Sequence, residues 1–559
     1  MNNRKSRGSF LFIILSFGLL FSCGGKNKPI EKDLVNKPEK LQEHLIDDLK
    51  KILEFAEANK GSLNDSVQLD YLRLDSIYYE SKDYKAIWSD QGKMTPMGDS
   101  LFRFIKNAKE YGLFPQDYHY GPLSFIKRAL QDSFARKNAI LWTRADILLT
   151  DAFFHLTKDL KQGRLAYDSV TLRSDTVLRD RFYLENLDTA FRIGDIDSAL
   201  HTLEPRYPGY DSIKLYTKEF LASAKFRPFT YLIYPYRDSV YFFRSLQKRF
   251  HELGMARSDS TAMDTSALAA IIRKYQKEKN FKISGKVSEP LVDKLNNTDL
   301  EKFKRIAITL DRYKLLPDSL PRTYIWVNLP SFFLRVMNDD TLVFESKIIV
   351  GAPATRTPVL TSDITNFITL PQWTVPSSII FKEMLPKIQQ NINFLKKENL
   401  MVVNKDDDII DPAKVNWKKL NRNHFPYLLK QQEGDNNSLG VIKFNFRNKY
   451  SVYLHDTNVR WMFGKAFRAI SHGCVRVKEW GKLSDFLIRN DTVRFNPDTV
   501  RAWIKRQEKH TVSGFKRVPI FIRYFGCEGK DGHLKFYDDI YEEDRFLREK
   551  YFRGKTVNE

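Results

Sequence analysis

The sequence lacks the residue patterns that metal and nucleotide sites usually require. Its ten histidines are scattered along the chain, and none belongs to a His-Glu-x-x-His pair or to a group of Cys and His at ligand spacing. A glycine-rich loop that could cradle phosphate groups is also missing. The pattern therefore predicts a protein that needs neither a metal ion nor another cofactor.

Cysteine is scarce as well. The 559 residues include only Cys23, Cys474 and Cys527. Cys527 follows a strand-like segment, 518–525, and we expect it to take no part in chemistry. A disulfide between Cys474 and Cys527 would consume the one thiol that lies in a chemically suggestive motif. We therefore predict no structural disulfide, although an oxidising compartment would permit one.

The N-terminal segment has the pattern of an export signal. The apolar run 10–21 follows three basic residues and is too short to span a membrane comfortably, so residues 1–22 are predicted to be a signal peptide. Residues 20–23, Leu-Phe-Ser-Cys, resemble a bacterial lipobox, which implies a lipid on Cys23 and a tether over 23–40. Phenylalanine is unusual at its lipobox position, so a plain cleaved signal and an uncleaved anchor remain alternatives.

Acidic residues are outnumbered by basic ones. The 69 Asp and Glu against 91 Lys and Arg give a net charge of +22, which becomes +19 once the three basic residues of the signal peptide are removed. A strongly basic surface usually suggests nucleic acid as a partner, but an exported chain does not meet nucleic acid. The remaining candidates for a partner of this surface are anionic cell-wall carboxylates and a membrane face. Alternatively, the surface contacts only solvent.

The length predicts several domains, because 559 residues exceed what one hydrophobic core usually organises. Apolar residues recur at helical spacing over 41–235, and again over 236–300 with glycines where helices would end. The pattern over 322–527 is strand-like, and a tail follows over 528–559. The sequence thus predicts an α+β multidomain protein with a helical N-terminal region, a small helical unit and a mostly-β unit.

The strand-rich unit is interrupted by the helix-rich segment 376–439. This segment is too long for an ordinary connection, so we predict that it forms a helical lid over a cleft. Further on, residues 477–488 have a helical pattern. A helix there would place the positive end of its dipole near the sulfur of Cys474.

Two short motifs in the strand-rich unit carry the candidate catalytic residues. Residues 453–457 are Tyr-Leu-His-Asp-Thr at the end of an alternating, strand-like run, and residues 471–476 are Ser-His-Gly-Cys-Val-Arg. A thiol is a good nucleophile only as thiolate, so Cys474 needs a base or a positive field. His455 offers the base and Arg476 the field. The glycine before the cysteine permits a sharp turn whose consecutive amides could form an oxyanion hole.

This ordered pair of motifs resembles the signature of the L,D-transpeptidase catalytic domain of the YkuD type. The resemblance implies that Cys474 is the nucleophile that accepts the acyl group. His455 would be the general acid and base, steered by the backbone carbonyl of Asp456, while His472 would form a wall of the site and remain a second candidate base. The residues implied to line the oxyanion hole or the substrate are Tyr453, Asp456, His472, Gly473 and Arg476.

Further phrases resemble the larger, periplasmic YcbB-like members of this family. Residues 236–300 resemble a three-helix peptidoglycan-binding domain, and 434–440 resemble a Gly-x-x-Asn-x-Leu-Gly phrase, with Glu433 where a proline is expected before it. The phrases that resemble an N-terminal scaffold domain are 84–88, 111–118, 150–153 and 163–164.

The resemblance implies a peptidoglycan L,D-transpeptidase that forms 3-3 cross-links between stem peptides, in an exported, periplasm-facing and lipid-anchored protein. An L,D-carboxypeptidase would use the same residues with water as the acceptor, and a non-catalytic wall-binding lipoprotein is a further alternative. The sequence does not indicate protein partners. Residues 245–248 match the Ser-x-x-Lys spacing of penicillin-binding proteins, but the companion motifs are missing, so a serine mechanism is not favoured.

Overall fold

The computed structural model describes residues 32–37, 40–64, 67–166, 171–173, 177–257, 264–491 and 494–557. The predicted signal peptide, Cys23 and the first part of the tether lie outside these ranges. The chain forms two compact units. One comprises the described residues up to Thr95 with Pro122–Asp151, and the other comprises Pro96–Gly121 with the described residues from Ala152 onward. Within the described ranges, no helix is both long and apolar enough to cross a membrane.

The N-terminal region is helical, as its apolar spacing predicts. On the first helix, for example, Leu45, Leu49 and Ile52 lie on the buried face because residues three and four apart share one side of a helix. Two short hairpins, Ser62–Asn64 (β1) with Val67–Gln68 (β2) and Ser89–Asp90 (β3) with Lys93–Met94 (β4), accompany the helices. The helices are α1 (Leu41–Ala58), α2 (Leu72–Ser81), α3 (Pro96–Lys106), α4 (Tyr120–Ala129), α5 (Ala139–Lys161), α6 (Asp180–Ile193), α7 (Ile196–His201) and α8 (Pro208–Ser223).

A three-helix unit follows, made of α9 (Ser239–Glu252), α10 (Thr265–Glu278) and α11 (Glu289–Asn296). It has a hydrophobic core of its own, which includes Leu246, Phe250 and Ile272. The side chain of Gln276 accepts hydrogen bonds from the amides of Ser284 and Gly285, both at 2.9 Å. This amide side chain therefore holds the loop between α10 and α11. Helix α12 (Asp299–Tyr313) then leads to the strand-rich unit.

The strand-rich unit is built on a sheet that closes on itself. The strand order is β15-β7-β16-β14-β13-β8-β17-β5-β6, and an additional pairing of β6 with β7 completes the circuit. Apolar residues from all around the sheet share one core, which includes Ile325, Phe444 and Ile520. The strands are β5 (Thr323–Asn328), β6 (Phe333–Asn338), β7 (Thr341–Gly351), β8 (Leu360–Thr369), β13 (Ile442–Phe446), β14 (Leu454–His455), β15 (Ala469–Ser471), β16 (Val475–Val477) and β17 (Thr511–Arg523).

The insertion between β8 and β13 contains the predicted helices and, in addition, a small sheet of four strands in the order β11-β10-β12-β9. It has its own core, with Leu395, Val402 and Leu429 among its members. It is therefore an α+β subdomain instead of a purely helical lid. Its elements are β9 (Trp373–Thr374), α13 (Ser377–Ile379), a π-helical turn (Ile380–Met384), α14 (Leu385–Gln390), α15 (Asn393–Lys397), β10 (Leu400–Val403), β11 (Ile409–Ile410) and β12 (Leu428–Gln431).

The helix predicted over 477–488 begins later than expected. Residues 475–477 form β16, which pairs with β14 and β7, and helix α16 spans Trp480–Ile488. The strand pairing thus displaces the helix start from Cys474, and the expected dipole effect on the sulfur does not apply. The remaining elements are α17 (Pro497–Lys505), β18 (Cys527–Lys530), β19 (His533–Phe536) and α18 (Glu543–Tyr551).

Candidate active site

The two sequence motifs lie on adjacent strands and present their polar residues on one face of the sheet. Strands β14 and β16 run parallel, with Leu454 opposite Val475 and His455 opposite Arg476. Leu454 and Val475 belong to the hydrophobic core. Because side chains alternate between the two faces of a strand, His455, Cys474 and Arg476 share the face that points away from this core. The strand pairing therefore brings the predicted nucleophile and base to one place.

Cys474 is half-buried in the site. Its sulfur lies 4.0 Å from the backbone carbonyl oxygen of Ser451. Burial raises the pKa of the thiol above its usual value, and hydrogen bonds from Tyr453 with the charges of Lys443 and Arg476 offset only part of this effect. The resting residue is therefore a protonated thiol at neutral pH. A positive field alone does not activate it, so a base must take the proton during attack.

His455 is buried and neutral. Burial and the nearby Arg476 lower the pKa of its imidazole to about 3, whereas the backbone carbonyls of Asp456 and Leu439 act in the opposite direction. No group among the described residues makes a hydrogen bond of good geometry with its Nδ1. The carbonyls of Asp456 and Leu439 both lie near the ring. The family resemblance implies the first of these neighbours, and the sequence did not predict the second. A neutral imidazole can accept a proton.

The carboxylate of Asp456 forms hydrogen bonds with a backbone amide and with an arginine. It accepts hydrogen bonds from the amide of Val441 (3.1 Å) and from Nε of Arg460 (3.0 Å). Gly440 makes this approach possible, because a Cβ at that position would lie 2.3 Å from Oδ2 of Asp456. Asp456 therefore fixes the end of the insertion beside the site, which explains why a glycine occupies position 440.

Ser471 and Gly473 shape the loop that carries the nucleophile. Gly473 has a φ of +117°, a conformation that residues with a Cβ rarely adopt. Its amide donates to Oγ of Ser471 (3.2 Å), which in turn donates to the carbonyl of Cys474 (2.7 Å). The amides of His472 and Cys474 have no acceptor among the described residues. These two amides, and not that of Gly473, are thus free to bind an oxyanion.

A buried hydrogen-bond network supports the same loop from below. The hydroxyl of Thr357 donates to the carbonyl of Gly473 (2.8 Å) and accepts from the amide of Gly351 (2.8 Å). The hydroxyl of Tyr541 accepts from the amide of Thr357 (3.1 Å) and donates to the carbonyl of Gly351 (2.7 Å). The C-terminal tail, 528–559, therefore helps to hold the backbone next to Cys474.

The side chain of His472 contacts the insertion. Its side chain is 45% exposed, and its Nε2 lies 2.7 Å from Oε1 of Glu383, which belongs to the π-helical turn of the insertion. Turns of this kind often occur at functional sites. His472 therefore links the nucleophile loop to the insertion, a position that suits the predicted wall of the site.

Lys443 is a site residue that lies outside the two sequence motifs and was not predicted. It is half-buried, and its Nζ lies 4.1 Å from the centroid of the Tyr453 ring. The alternation of β13, with Ile442 and Phe444 in the core, was a signal that could have placed Lys443 on the catalytic face. Burial raises the pKa of the Tyr453 hydroxyl, so this group stays protonated and can donate a hydrogen bond. Within the described ranges, no group of three or more His, Cys, Asp or Glu side chains could hold a metal ion.

Two segments of the chain match known protein-family models. Residues 322–494 match the L,D-transpeptidase catalytic domain, known as YkuD, and residues 76–215 match the Scaffold domain. The chain contains an L,D-transpeptidase catalytic domain. The L,D-transpeptidase match spans all the residues of the two motifs and the whole insertion. Tyr541 lies beyond it.

One relative is a Haemophilus influenzae protein whose name describes it as a candidate L,D-transpeptidase. It is 32% identical over 250 residues, which cover 43% of this chain and 48% of that protein. The chain thus matches about half the length of this curated relative. Among solved structures, an L,D-transpeptidase from Mycobacterium smegmatis shares 13% identity at a TM-score of 0.17, with 36% of this chain and 58% of that chain covered. One from Stackebrandtia nassauensis shares 13% at a TM-score of 0.15, with 50% and 90% covered.

Proposed function

We propose that the protein is a peptidoglycan L,D-transpeptidase that works through an acyl-enzyme on Cys474. One observation carries the proposal: within an L,D-transpeptidase domain, β14 and β16 place a neutral, buried His455 and the thiol of Cys474 on the same face of the sheet. This arrangement provides a nucleophile together with a group that can accept its proton. The proposed substrate is the stem peptide of peptidoglycan.

In the proposed reaction, Sγ of Cys474 attacks the carbonyl carbon of the third stem residue, a diamino acid in this family, while its proton moves to His455. The amides of His472 and Cys474 bind the oxyanion. The C–N bond to the terminal D-alanine then breaks, and His455 returns the proton to the leaving amine, which yields a thioester. An amine from a second stem attacks the thioester carbonyl and loses a proton to His455. The C–S bond then breaks, the sulfur takes that proton from His455, and the 3-3 amide and the free thiol of Cys474 result.

The location of the insertion favours an amine over water as the acceptor. Glu383 of the insertion meets His472 directly beside the nucleophile, and a subdomain at the mouth of a site can shield a thioester from water. We also propose that the three-helix unit α9–α11 binds peptidoglycan, which would keep acceptor stems close to the enzyme and raise their effective concentration.

The test uses the full-length protein in detergent with disaccharide-tetrapeptide as the only substrate. We expect release of D-alanine and formation of the 3-3 cross-linked dimer, both followed by mass spectrometry, with little tripeptide. Tripeptide as the exclusive product, even at high acceptor concentration, would replace the proposal by an L,D-carboxypeptidase. If neither D-alanine nor an acyl-enzyme forms, the protein is a non-catalytic wall-binding protein.

The proposed place of action is the periplasmic face of a membrane, with the chain held by a lipid on Cys23. The lipobox-like residues 20–23 and the net charge of +22 support this proposal, because a basic protein is attracted to anionic wall polymers and lipid headgroups.

A further inference from the structure

Two cations flank the proposed base on neighbouring strands. Lys443 of β13 is the ladder partner of His455, and Arg476 of β16 is the ladder partner of His455 on its other side. Directly paired residues on adjacent strands project from the same face of a sheet. Lys443, His455 and Arg476 therefore form a row across the catalytic face, with the base in the middle.

Neither cation has a carboxylate partner within the part of the chain that the structure describes. Nζ of Lys443 lies over the ring of Tyr453, and Nε of Arg476 is buried with no hydrogen-bond partner among the described residues. Arg335, a cation in the same domain, is instead held by Glu345 at 2.8 Å and by Glu528 at 2.7 Å. Because a buried charge without a counterion is costly, the row suits an anion that arrives from outside.

We propose that Lys443 and Arg476 form a recognition site for a carboxylate of the donor stem next to the scissile amide. This inference rests on the proposed function and names the feature of the stem that the site selects. A guanidinium can bind a carboxylate through two parallel hydrogen bonds, while an ammonium acts as a point charge. The stem offers two such groups, the terminal carboxylate of the leaving D-alanine and the free carboxylate of the diamino acid.

Binding of a carboxylate here would also prepare the base. A proton on His455 is repelled by the two cations, and Arg476 is the main charge that lowers the pKa of the imidazole. A negative charge between Lys443 and Arg476 would cancel part of this repulsion. His455 would then accept the proton of Cys474 more readily in the presence of the correct donor, which couples recognition to attack.

The experiment compares three donors on the full-length protein: the tetrapeptide stem, the same stem with a terminal carboxamide, and the stem amidated on the diamino acid. We expect kcat/KM to fall about 10- to 100-fold for one of the amidated donors, the usual effect of losing a charge-assisted hydrogen bond. The donor that loses activity identifies which carboxylate is bound. Equal kcat/KM for all three donors would overturn the proposal.

Variants of Lys443 complete a double-mutant cycle. Lys443→Met should lower kcat/KM for the unmodified stem about 10- to 100-fold but should have little further effect on the sensitive amidated donor, because both changes remove the same interaction. Lys443→Arg should restore most of the activity, and Lys443→Gln replaces Lys443→Met if the latter fails to fold. Lys449→Met, at an exposed lysine near the end of β13, is the matched control and should leave all rates unchanged.

The outcomes separate this inference from the proposed function. An equal loss for every donor in Lys443→Met would mean that Lys443 supports the sulfur or the fold, and it would overturn carboxylate recognition while the transpeptidase proposal stands. If the wild-type protein forms no acyl-enzyme with any donor, the proposed function itself fails.

Discussion

At the scale of single residues, the two cysteines in the described part of the chain have opposite environments. Cys474 is half-buried on the catalytic face. Cys527 is fully buried, its sulfur lies 4.0 Å from the carbonyl of Arg305, and burial raises the pKa of its thiol to about 12. A thiol that is neither accessible nor ionised does not act as a nucleophile.

This contrast predicts which cysteine a carbapenem labels, since drugs of this β-lactam class acylate the cysteine of the family that the chain resembles. Cys474→Ala should abolish the adduct and the transfer reaction, and Cys527→Ala should retain both. Mass spectrometry of the intact proteins after exposure to the drug provides the measurement. An adduct on Cys527 alone would contradict the assignment of the nucleophile.

The two histidines near the sulfur should differ in their effect on rate. His455→Ala removes the proton acceptor and should lower kcat about 10²- to 10⁴-fold. His472→Ala removes an exposed contact to Glu383 and should have a clearly smaller effect. The measurement is the steady-state kcat of the two variants under identical conditions. A larger loss of kcat for His472→Ala would make His472 the base.

His455 should also make stability depend on pH. The unfolded chain binds a proton at the imidazole near pH 6.5, but the folded chain does so only near 3. The contribution of His455 to the free energy of unfolding is therefore fully present above pH 6.5. It is lost as the pH falls from 6.5 towards 3, by up to about 1.4 kcal/mol per pH unit. His455→Gln should therefore show a smaller decrease in Tm between pH 7 and 5 than the wild type. An exposed control, His533→Gln, should match the wild type, and equal decreases in all three proteins would refute the argument.

At the scale of elements, the nucleophile loop depends on a residue from the C-terminal tail. Tyr541→Phe leaves the buried carbonyl of Gly351 and the amide of Thr357 without their partner, which costs about 1–3 kcal/mol. Because Thr357 holds the carbonyl of Gly473, the loop should also shift. We expect kcat to fall several-fold with KM nearly unchanged at a temperature well below Tm.

Rates and Tm of Tyr541→Phe are best compared with those of Tyr551→Phe. Tyr551 lies in the same tail, and its hydroxyl accepts a hydrogen bond from the amide of Ala166. Neither residue belongs to the segment that matches the L,D-transpeptidase catalytic domain. A lower Tm with unchanged kcat in Tyr541→Phe would show that Tyr541 is structural without positioning the nucleophile.

The sequence predicted those elements whose pattern is local. Alternation over 450–455 predicted a strand, of which the structure has only the last two residues, Leu454–His455, as β14. The helical spacing of α1 identified its buried face. The predicted start of α16 was too early because residues 475–477 form the strand β16. This strand pairs with β14 and β7, which are distant in sequence. The two-residue strand β9 exists because Trp373 pairs with Gln431, and so short a segment has no periodicity to detect.

The candidate site was predictable to the same extent. Cys474 and His455 lie in motifs, and the parallel β14–β16 pair brings them together. Alternation along β13 places Lys443 on the side opposite the core, but a lysine on that side of a strand usually faces solvent. The sequence does not show that β14 and its catalytic histidine lie beside it. The bond between Thr357 and Tyr541 joins residues 184 positions apart, and a contact of that range leaves no trace in a single sequence.

At the scale of the whole molecule, the lipid anchor stays a prediction, because Cys23 lies outside the described residues. In cells given a clickable fatty acid, the wild-type protein should carry the label and fractionate with membranes. Cys23→Ser should lose the label, whereas Cys527→Ser should keep it. Persistent labelling of Cys23→Ser would contradict lipidation at this position.

The closed sheet has a consequence for how such a protein can change over evolution. Thr369 of β8 and Ile442 of β13 are ladder partners, so residues 370–441 occupy a place where a two-residue hairpin turn could stand. The insertion also has its own core. A segment with these properties can be lengthened, shortened or replaced as a unit while the strand order of the closed sheet stays the same. Evolution can therefore change which polymer reaches the sulfur of Cys474 by changing the insertion, while Cys474 and His455 stay the same.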